Sequence, residues 1–379
     1  MTKIYLDYNA TTPLRSEVKA AMVQAMDVTG NPSSVHAWGR KVRQHLESAR
    51  QTIADFFKAE PKQIIFTSGA TEANNLALKG FNGIKIVSAI EHDSIHQVCS
   101  DALSCPVDED GVVNLEKLES LLQNHHGEKV LVSVMAANNE TGVIQPISEI
   151  AVLVKKHQAF FHCDATQTVG KLKLDWSKIS FDMLSISSHK IGGPAGVGAL
   201  IVSPNLALKA QIVGGGQERS YRGGTENILG IIGFEAALKE CLNDPWDEIR
   251  LLRDRFEDEI QAFCLDVDVF GKNVPRLPNT SNLTMPGVKS DVQLMNFDLS
   301  GIAVSAGSAC SSGKVKTSRI LQAMGLPSSK TNSAIRVSLG WQTQPFEIEA
   351  IIDTWKQIYS RCAPQSFSKS TQEGIYANT

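Results

Sequence analysis

The sequence predicts an α/β fold, with a large domain built on a mainly parallel sheet and a smaller α+β domain. Short apolar runs alternate with amphipathic helical stretches between about residues 53 and 203. This alternation is typical of a largely parallel sheet that helices cover on both faces. Beyond about residue 280 the strand patterns are shorter and mixed with helical ones. A chain of 379 residues is long enough for two such cores.

The elements of the large domain follow from these runs. The predicted strands of its sheet are 64–67, 84–87, 130–135, 160–163, 183–186 and 197–202, with helices such as 72–79, 115–123 and 147–157 between them. A helical pattern from 226 to about 263, broken near 243–245, suits a connection between domains.

The small domain is predicted from the remaining patterns. Its strands are 280–284, 302–305 and 335–339, and its helices are 291–299, 318–324 and 346–360. The first 15 residues are too few for a core of their own, so we expect them to pack on this domain. The predicted boundaries are therefore 16–259 for the large domain, and 1–15 with 260–379 for the small one.

Composition excludes several classes of function. The net charge of −3 argues against a nucleic-acid surface and against polybasic membrane binding. No apolar run approaches the ~20 residues of a membrane span, and the first residues do not resemble a signal peptide, so we expect a cytoplasmic protein. Seven irregularly spaced cysteines without a Cys-x-x-Cys pair give no support for a metal site. The polar stretch 364–379 is typical of a loose tail.

Polar residues follow five of the predicted strands at the point where each strand ends. They are Thr71, the pair Glu91-His92, the pair Asn138-Asn139, Asp164, and the pair His189-Lys190. Ligands of open α/β sheets bind beyond the carboxyl ends of the strands. The sequence therefore predicts a ligand site at this edge.

The segment Gly69-Ala70-Thr71 is a candidate phosphate site because it opens a predicted helix. Helix N-termini present free N–H groups and positive dipole potential. Ser187 and His189, with Ser188 between them, precede Lys190 and are candidates for further phosphate contacts. The alternative is an ordinary helix cap without a ligand.

Lys190 is the candidate for the lysine that pyridoxal-phosphate enzymes bond to their cofactor. Asp164 would pair with the protonated pyridine nitrogen and keep the ring an electron sink. Gln167, three residues later, would donate a hydrogen bond to the 3-oxygen of the ring. The alternatives are a surface lysine after a strand and an aspartate in a turn or cap.

Three further residues suit the same site. His92 would stack on the ring and move protons, since histidine titrates near neutrality; a core-edge histidine is the alternative. Asn139 would orient the 3-oxygen and the substrate carboxylate, although Asn138-Asn139 is also typical of a turn. Arg336 lies in an apolar strand pattern, where a guanidinium needs an anion. That anion is either a substrate carboxylate or a structural partner.

Cys310 is the candidate nucleophile. It lies within the Gly/Ser-rich stretch 305–313, with Lys314 and Lys316 nearby. An accessible, electropositive setting favours the thiolate, whereas an inert buried cysteine is the alternative. A transaminase needs no such thiol.

Together these motifs resemble the group I cysteine desulfurases, the iron–sulfur-cluster and nitrogen-fixation type within aminotransferase class V. The matching stretches are 6–13, 31–36, 66–75, 91–92, 138–142, 164–167, 187–190, 214–218, 222–226 and 335–340. The resemblance implies the pyridoxal-phosphate aminotransferase fold (fold type I) and a homodimer. It implies that Thr225 contacts the phosphate of the cofactor in the partner subunit. It also implies a persulfide on Cys310, carried by a loop at about 305–317.

The implied reaction converts L-cysteine to L-alanine and a Cys310 persulfide. The persulfide sulfur would pass to an acceptor protein such as an iron–sulfur scaffold and be used for clusters, other sulfur-containing cofactors or thiolated tRNA. No resident metal is expected, and any contact with an iron–sulfur cluster would be transient and made through Cys310. Alternatives are a selenocysteine lyase, another class V enzyme such as a transaminase, and a non-catalytic binding platform. Two features depart from the family. Ala195 stands where a lysine is common, and the C-terminal tail does not resemble a scaffold-docking tail.

Overall fold

A computed structural model describes residues 3–307 and 317–363. Seven strands of the described chain form one sheet. They are β2 (Ile64–Thr67), β3 (Ile84–Ser88), β4 (Leu103–Cys105), β5 (Val130–Met135), β6 (Phe160–Asp164), β7 (Met183–Ser187) and β8 (Gly198–Val202). The strand order is β2-β8-β7-β6-β5-β3-β4. The six predicted strands are confirmed to within one residue at each end, and the short edge strand β4 was not predicted.

The sheet is mainly parallel, as predicted. The strands β3 to β7 pair in parallel, whereas β8 is antiparallel to both of its neighbours, β7 and β2. Only ten residues join β7 to β8, and a parallel crossover needs about a dozen or more. This short return places Lys190 directly at the carboxyl end of β7. All six residues of β5 are buried, as expected for a strand covered on both faces.

Helices cover the sheet and build the second unit. The first group is α1 (Ser16–Ala25), α2 (Ala37–Phe57), α3 (Ala70–Gly80), α4 (Asp93–His96), α5 (Leu115–Asn124), α6 (Ile147–Lys156) and α7 (Ile228–Glu240). The second group is α8 (Trp246–Phe263), α9 (Ser290–Leu299), α10 (Arg319–Ala323), α11 (Ser328–Thr331) and α12 (Pro345–Cys362). The predicted break between two long helices lies between α7 and α8.

A second apolar core lies apart from the sheet. Here β9 (Thr280–Thr284) pairs antiparallel with β11 (Ala334–Ser338), and β1 (Ile4–Tyr5) pairs in parallel with β10 (Ile302–Ala303). Helices α8, α9 and α12 pack on these strands through residues such as Phe256, Phe297 and Trp355. Ile4 and Leu6 are buried in the same core, so the first described residues pack here. The predicted domain boundaries stay a prediction.

Within residues 3–307 and 317–363, no helix combines the length and the apolar character that crossing a membrane requires. The same ranges contain no group of three or more His, Cys, Asp or Glu side chains arranged to hold a metal ion.

Candidate active site

A cavity of about 610 Å³ opens at the carboxyl edge of the sheet, where the polar residues were predicted to meet. Thr71, His92, Asp164 and Lys190 line it from the sheet, and Arg336 lines it from the second core. Its volume is in the range of sites that hold small molecules and cofactors.

One end of the cavity has the features of an anion site. Ala70 and Thr71 begin α3 there, and the first N–H groups of a helix have no partner within it. Gly69 precedes them with φ of 151°, a conformation that favours glycine. Ser187 and His189 also line this cavity. The positions of these four predicted residues support a shared ligand.

Ser188 lies elsewhere. Its side chain is fully buried and its Oγ has no partner among the described residues. It packs against Gly193, where a Cβ would lie 2.0 Å from that Oγ. Ser188 therefore does not line the cavity, although its neighbours on both sides do.

Lys190 is held at the cavity wall by backbone carbonyls. Its Nζ donates to Asn9 O (2.6 Å) and to Ala10 O (2.8 Å). Burial, with the charge of Arg336 adding to it and the charges of Asp7 and Asp164 opposing it, lowers the pKa of Lys190 to about 8. The amine is therefore much closer to its neutral, nucleophilic form at physiological pH than an exposed lysine is.

Asp164 is the last residue of β6, and both of its carboxylate oxygens are oriented. Oδ2 accepts from Asn74 Nδ2 (2.8 Å), and Oδ1 accepts from the Thr166 N–H (2.9 Å). Sequence reasoning missed Asn74, a fully buried residue of α3 that also donates to Ser94 Oγ (2.9 Å). The sequence signal that could have identified Asn74 is a polar residue at a position that faces the core in the predicted helix.

His92 caps α4 and faces the cavity. Its Nδ1 accepts from the Ser94 N–H (3.1 Å), so the neutral ring carries its proton on Nε2. Burial lowers the pKa of His92. Burial also lowers the pKa of His189 to about 4, with Lys190 adding to the shift. His189 Nδ1 lies 3.1 Å from Thr11 Oγ1.

Arg336 has one of the two anions that the sequence left open, a structural partner, and it also lines the cavity. Its Nη2 pairs with Asp7 Oδ1 (2.6 Å), and its Nη1 donates to Asn139 O (3.0 Å). The guanidinium also lines the cavity, and its buried Nε has no partner among the described residues. Asn139 Oδ1, also buried, lacks a partner in the same part of the chain. Arg336 Nε and Asn139 Oδ1 are thus a donor and an acceptor of wall residues that a ligand would satisfy.

The remaining predicted residues differ in position. Gln167 lines the cavity, and its Nε2 donates to Asn9 O (3.0 Å). Thr225 lines a separate pocket of about 80 Å³. Cys310 lies outside the described residues.

Residues on both sides of the Cys310 segment nevertheless line the cavity. Ser305 and Gly307 precede it, and Arg319 follows it. Ser305 pairs with Arg336 through two backbone hydrogen bonds. Ser318 Oγ donates to Glu140 Oε2 (2.5 Å), and Arg319 donates to Ala89 O (2.6 Å) and to Glu91 O.

Comparison with known proteins gives one consistent result. The family model described as aminotransferase class-V matches residues 4–351. A cysteine desulfurase IscS of Dictyoglomus turgidum is 38% identical over 377 residues, which cover 95% of each chain. The X-ray structure of a NifS-like protein from Rickettsia africae, 38% identical, superposes with a TM-score of 0.88 and covers 95% of this chain and all of the other. A structure of SspA in complex with cysteine, 31% identical, has a TM-score of 0.78 over 89% of this chain and 99% of the other.

Proposed function

The chain belongs to the aminotransferase class-V family, and we propose that it is a cysteine desulfurase that takes sulfur from L-cysteine and releases L-alanine. One observation carries this assignment: a single cavity brings together Lys190, Asp164 and Arg336, and the residues on either side of the Cys310 segment line it. The relatives named cysteine desulfurase support the reaction class.

Pyridoxal 5′-phosphate is the cofactor of this family, and the donor set of the cavity fits it. The first turn of α3, with Ser187 and His189, would hold the phosphate, and Asp164 would hold the ring nitrogen. The unpartnered Asn139 Oδ1 offers an acceptor beside them. When bound, the cofactor supplies an aldehyde that bonds to amines and a protonated ring that withdraws electrons from the substrate Cα.

The residues of the chain divide the remaining work. Arg336 binds the carboxylate of L-cysteine through its free Nε edge, beside Asn139. Lys190 would bond to the cofactor and, as a free amine, would remove the proton from the substrate Cα; its depressed pKa suits a base at neutral pH.

The Cys310 thiolate then attacks the sulfur of the substrate. An S–S bond forms, the C–S bond breaks, and its electron pair stays with the carbon fragment, which takes up protons to become alanine. His92, with its proton on Nε2, is the donor. The persulfide sulfur then passes to an acceptor.

The wider setting forms part of the same proposal. We propose a cytoplasmic homodimer in which Thr225 reaches the cofactor phosphate of the partner subunit. The position of Thr225 outside the large cavity of its own chain supports this arrangement. The sulfur acceptor is a protein such as an iron–sulfur scaffold, as the IscS and NifS names of the relatives suggest.

The test measures alanine released from L-cysteine in the presence of a reductant. Cys310→Ala is expected to reduce release to background and to keep the cofactor absorbance, because it removes only the sulfur acceptor. Cys362→Ala is the matched control, since Cys362 is a partly exposed thiol at the end of α12 that does not line the cavity. Full alanine release by cofactor-loaded Cys310→Ala would contradict the assignment.

A further inference from the structure

A lysine without a role in the reaction lies buried behind the cavity. Lys171 is 5% exposed, and its Nζ donates to Gln167 Oε1 (2.9 Å) and to Asn9 Oδ1 (3.1 Å). Within residues 3–307 and 317–363 no carboxylate forms an ion pair with it. Lysine is almost never fully buried without a counter-charge, so this position calls for a physical reason.

The surroundings favour an uncharged amine. Burial lowers the pKa of Lys171 well below its usual value, and the charges of Lys190 and Arg336 act in the same direction. A neutral amine has two N–H donors, which match the two amide oxygens that Lys171 contacts. Lys171 therefore acts as a double donor to two amide oxygens.

The first consequence concerns Gln167. Its Oε1 accepts from Lys171, and its Nε2 donates to Asn9 O (3.0 Å). The reversed amide would place the Gln167 nitrogen against the donors of Lys171 and its oxygen against the Asn9 carbonyl. Lys171 thus selects one orientation, in which the Gln167 NH₂ group retains one N–H for a ligand in the cavity.

The second consequence concerns Asn9, which joins the two cores. Its carbonyl accepts from Lys190 Nζ as well as from Gln167. Its side-chain Nδ2 donates to Asn139 O (3.2 Å), and its Oδ1 accepts from Asn279 Nδ2 (3.1 Å) in addition to Lys171. The amine of Lys171 therefore contacts Gln167 directly. It also contacts Asn9, whose backbone and side chain hydrogen-bond to Lys190 and Asn139.

We propose that Lys171 is a positioning residue that orients the amide of Gln167 and the side chain of Asn9, so that Gln167 presents an N–H donor and Lys190 its amine to the cofactor. This inference rests on the proposed function, because the ligand of the cavity is taken to be pyridoxal phosphate. In this proposal Lys171 does not touch the ligand itself; it acts on residues of the cavity wall that do.

The experiment measures the affinity of the full-length protein, stripped of cofactor, for pyridoxal phosphate. Lys171→Met is expected to weaken binding about tenfold, as expected when one buried amide loses its orienting hydrogen bond. Lys171→Gln, which keeps a shorter donor, should recover part of the loss. Lys173→Met is the matched control at an exposed lysine two residues away and should bind as the wild type does.

A double-mutant cycle with Gln167→Ala separates positioning from general structural damage. Because Lys171 acts in part through Gln167, Lys171→Met should cost less affinity in the Gln167→Ala background than in the wild type, the remainder being the part that acts through Asn9. Wild-type affinity in Lys171→Met, or losses that add fully in the double variant, would overturn the proposal. If Lys171→Met does not fold, as judged by urea unfolding, Lys171→Gln runs the same cycle. Absence of binding by the wild type would instead refute the proposed function.

Discussion

Lys190 makes the most quantitative prediction, because its reactivity depends on a shifted pKa. With a pKa of about 8, about a quarter of the amines are neutral at pH 7.5. With the ordinary value of 10.5, the neutral fraction would be about one in a thousand. The lowered pKa therefore raises the neutral, reactive fraction of Lys190 roughly 200-fold at this pH.

Two substitutions test the contribution of neighbouring charges to the pKa of Lys190, because they should move that pKa in opposite directions. Arg336→Gln removes a nearby positive charge that disfavours the protonated lysine, so the pKa of Lys190 should rise. Asp7→Asn removes a negative charge that favours the protonated form, so the pKa of Lys190 should fall. At pH 7.5 the first variant should react more slowly than the wild type and the second faster.

The assay follows covalent labelling of the cofactor-free protein with pyridoxal phosphate across a pH series. Borohydride reduction traps the product, and mass spectrometry quantifies the peptide that carries Lys190. The labelling should show an inflection near pH 8 in the wild type. The peptide with the exposed Lys173 is the internal control, whose profile should not differ between variants. An inflection of the wild type near pH 10.5, or shifts of both variants in the same direction, would refute the reasoning.

Two further predictions concern buried charge and acid stability. Glu218→Gln should lower the free energy of unfolding by about 3 kcal/mol or more, because it leaves the buried Arg50 guanidinium without its bidentate counter-charge. The control Lys178→Met removes an exposed ion pair and should lower it by at most about 1 kcal/mol. Equal losses in urea unfolding would contradict this. Burial lowers the pKa of His162 to about 4. As the pH falls below about 6.5, the unfolded chain therefore binds a proton at this residue while the folded chain does not. The free energy of unfolding should fall by about 2 kcal/mol between pH 7 and pH 5 through this residue. His162→Gln should remove that part of the pH dependence, and an unchanged dependence of the urea midpoint would count against it.

Much of the fold was predictable because local patterns carry it. The run 130–135 is apolar at every position except Ser133 and forms β5 with every residue buried, and the break near 243–245 separates α7 from α8. The three-residue edge strand β4 escaped prediction because it is too short to show a period.

Some residues of the candidate site were likewise predictable from local patterns and others were not. Asp164 and Lys190 were predicted because each follows an apolar strand, and the parallel sheet brings such positions to one edge. Asn74 and Lys171 were not predicted, because each acts on a residue distant in the chain, Asn74 on Asp164 and Lys171 on Asn9. Hydrogen bonds between distant residues leave no periodic signal in the sequence.

The sequence by itself determined the strands, the edge at which they end, and the chemical types gathered there, because hydrophobic period and strand-end position are local properties. The resemblance carried the family, which the comparisons bear out. Only the tertiary structure decided that Arg336 pairs with Asp7 while lining the cavity, that Ser188 does not line it, and that Lys171 lies buried against Gln167. These facts depend on burial and on contacts between the two cores, and both exist only after the chain has folded.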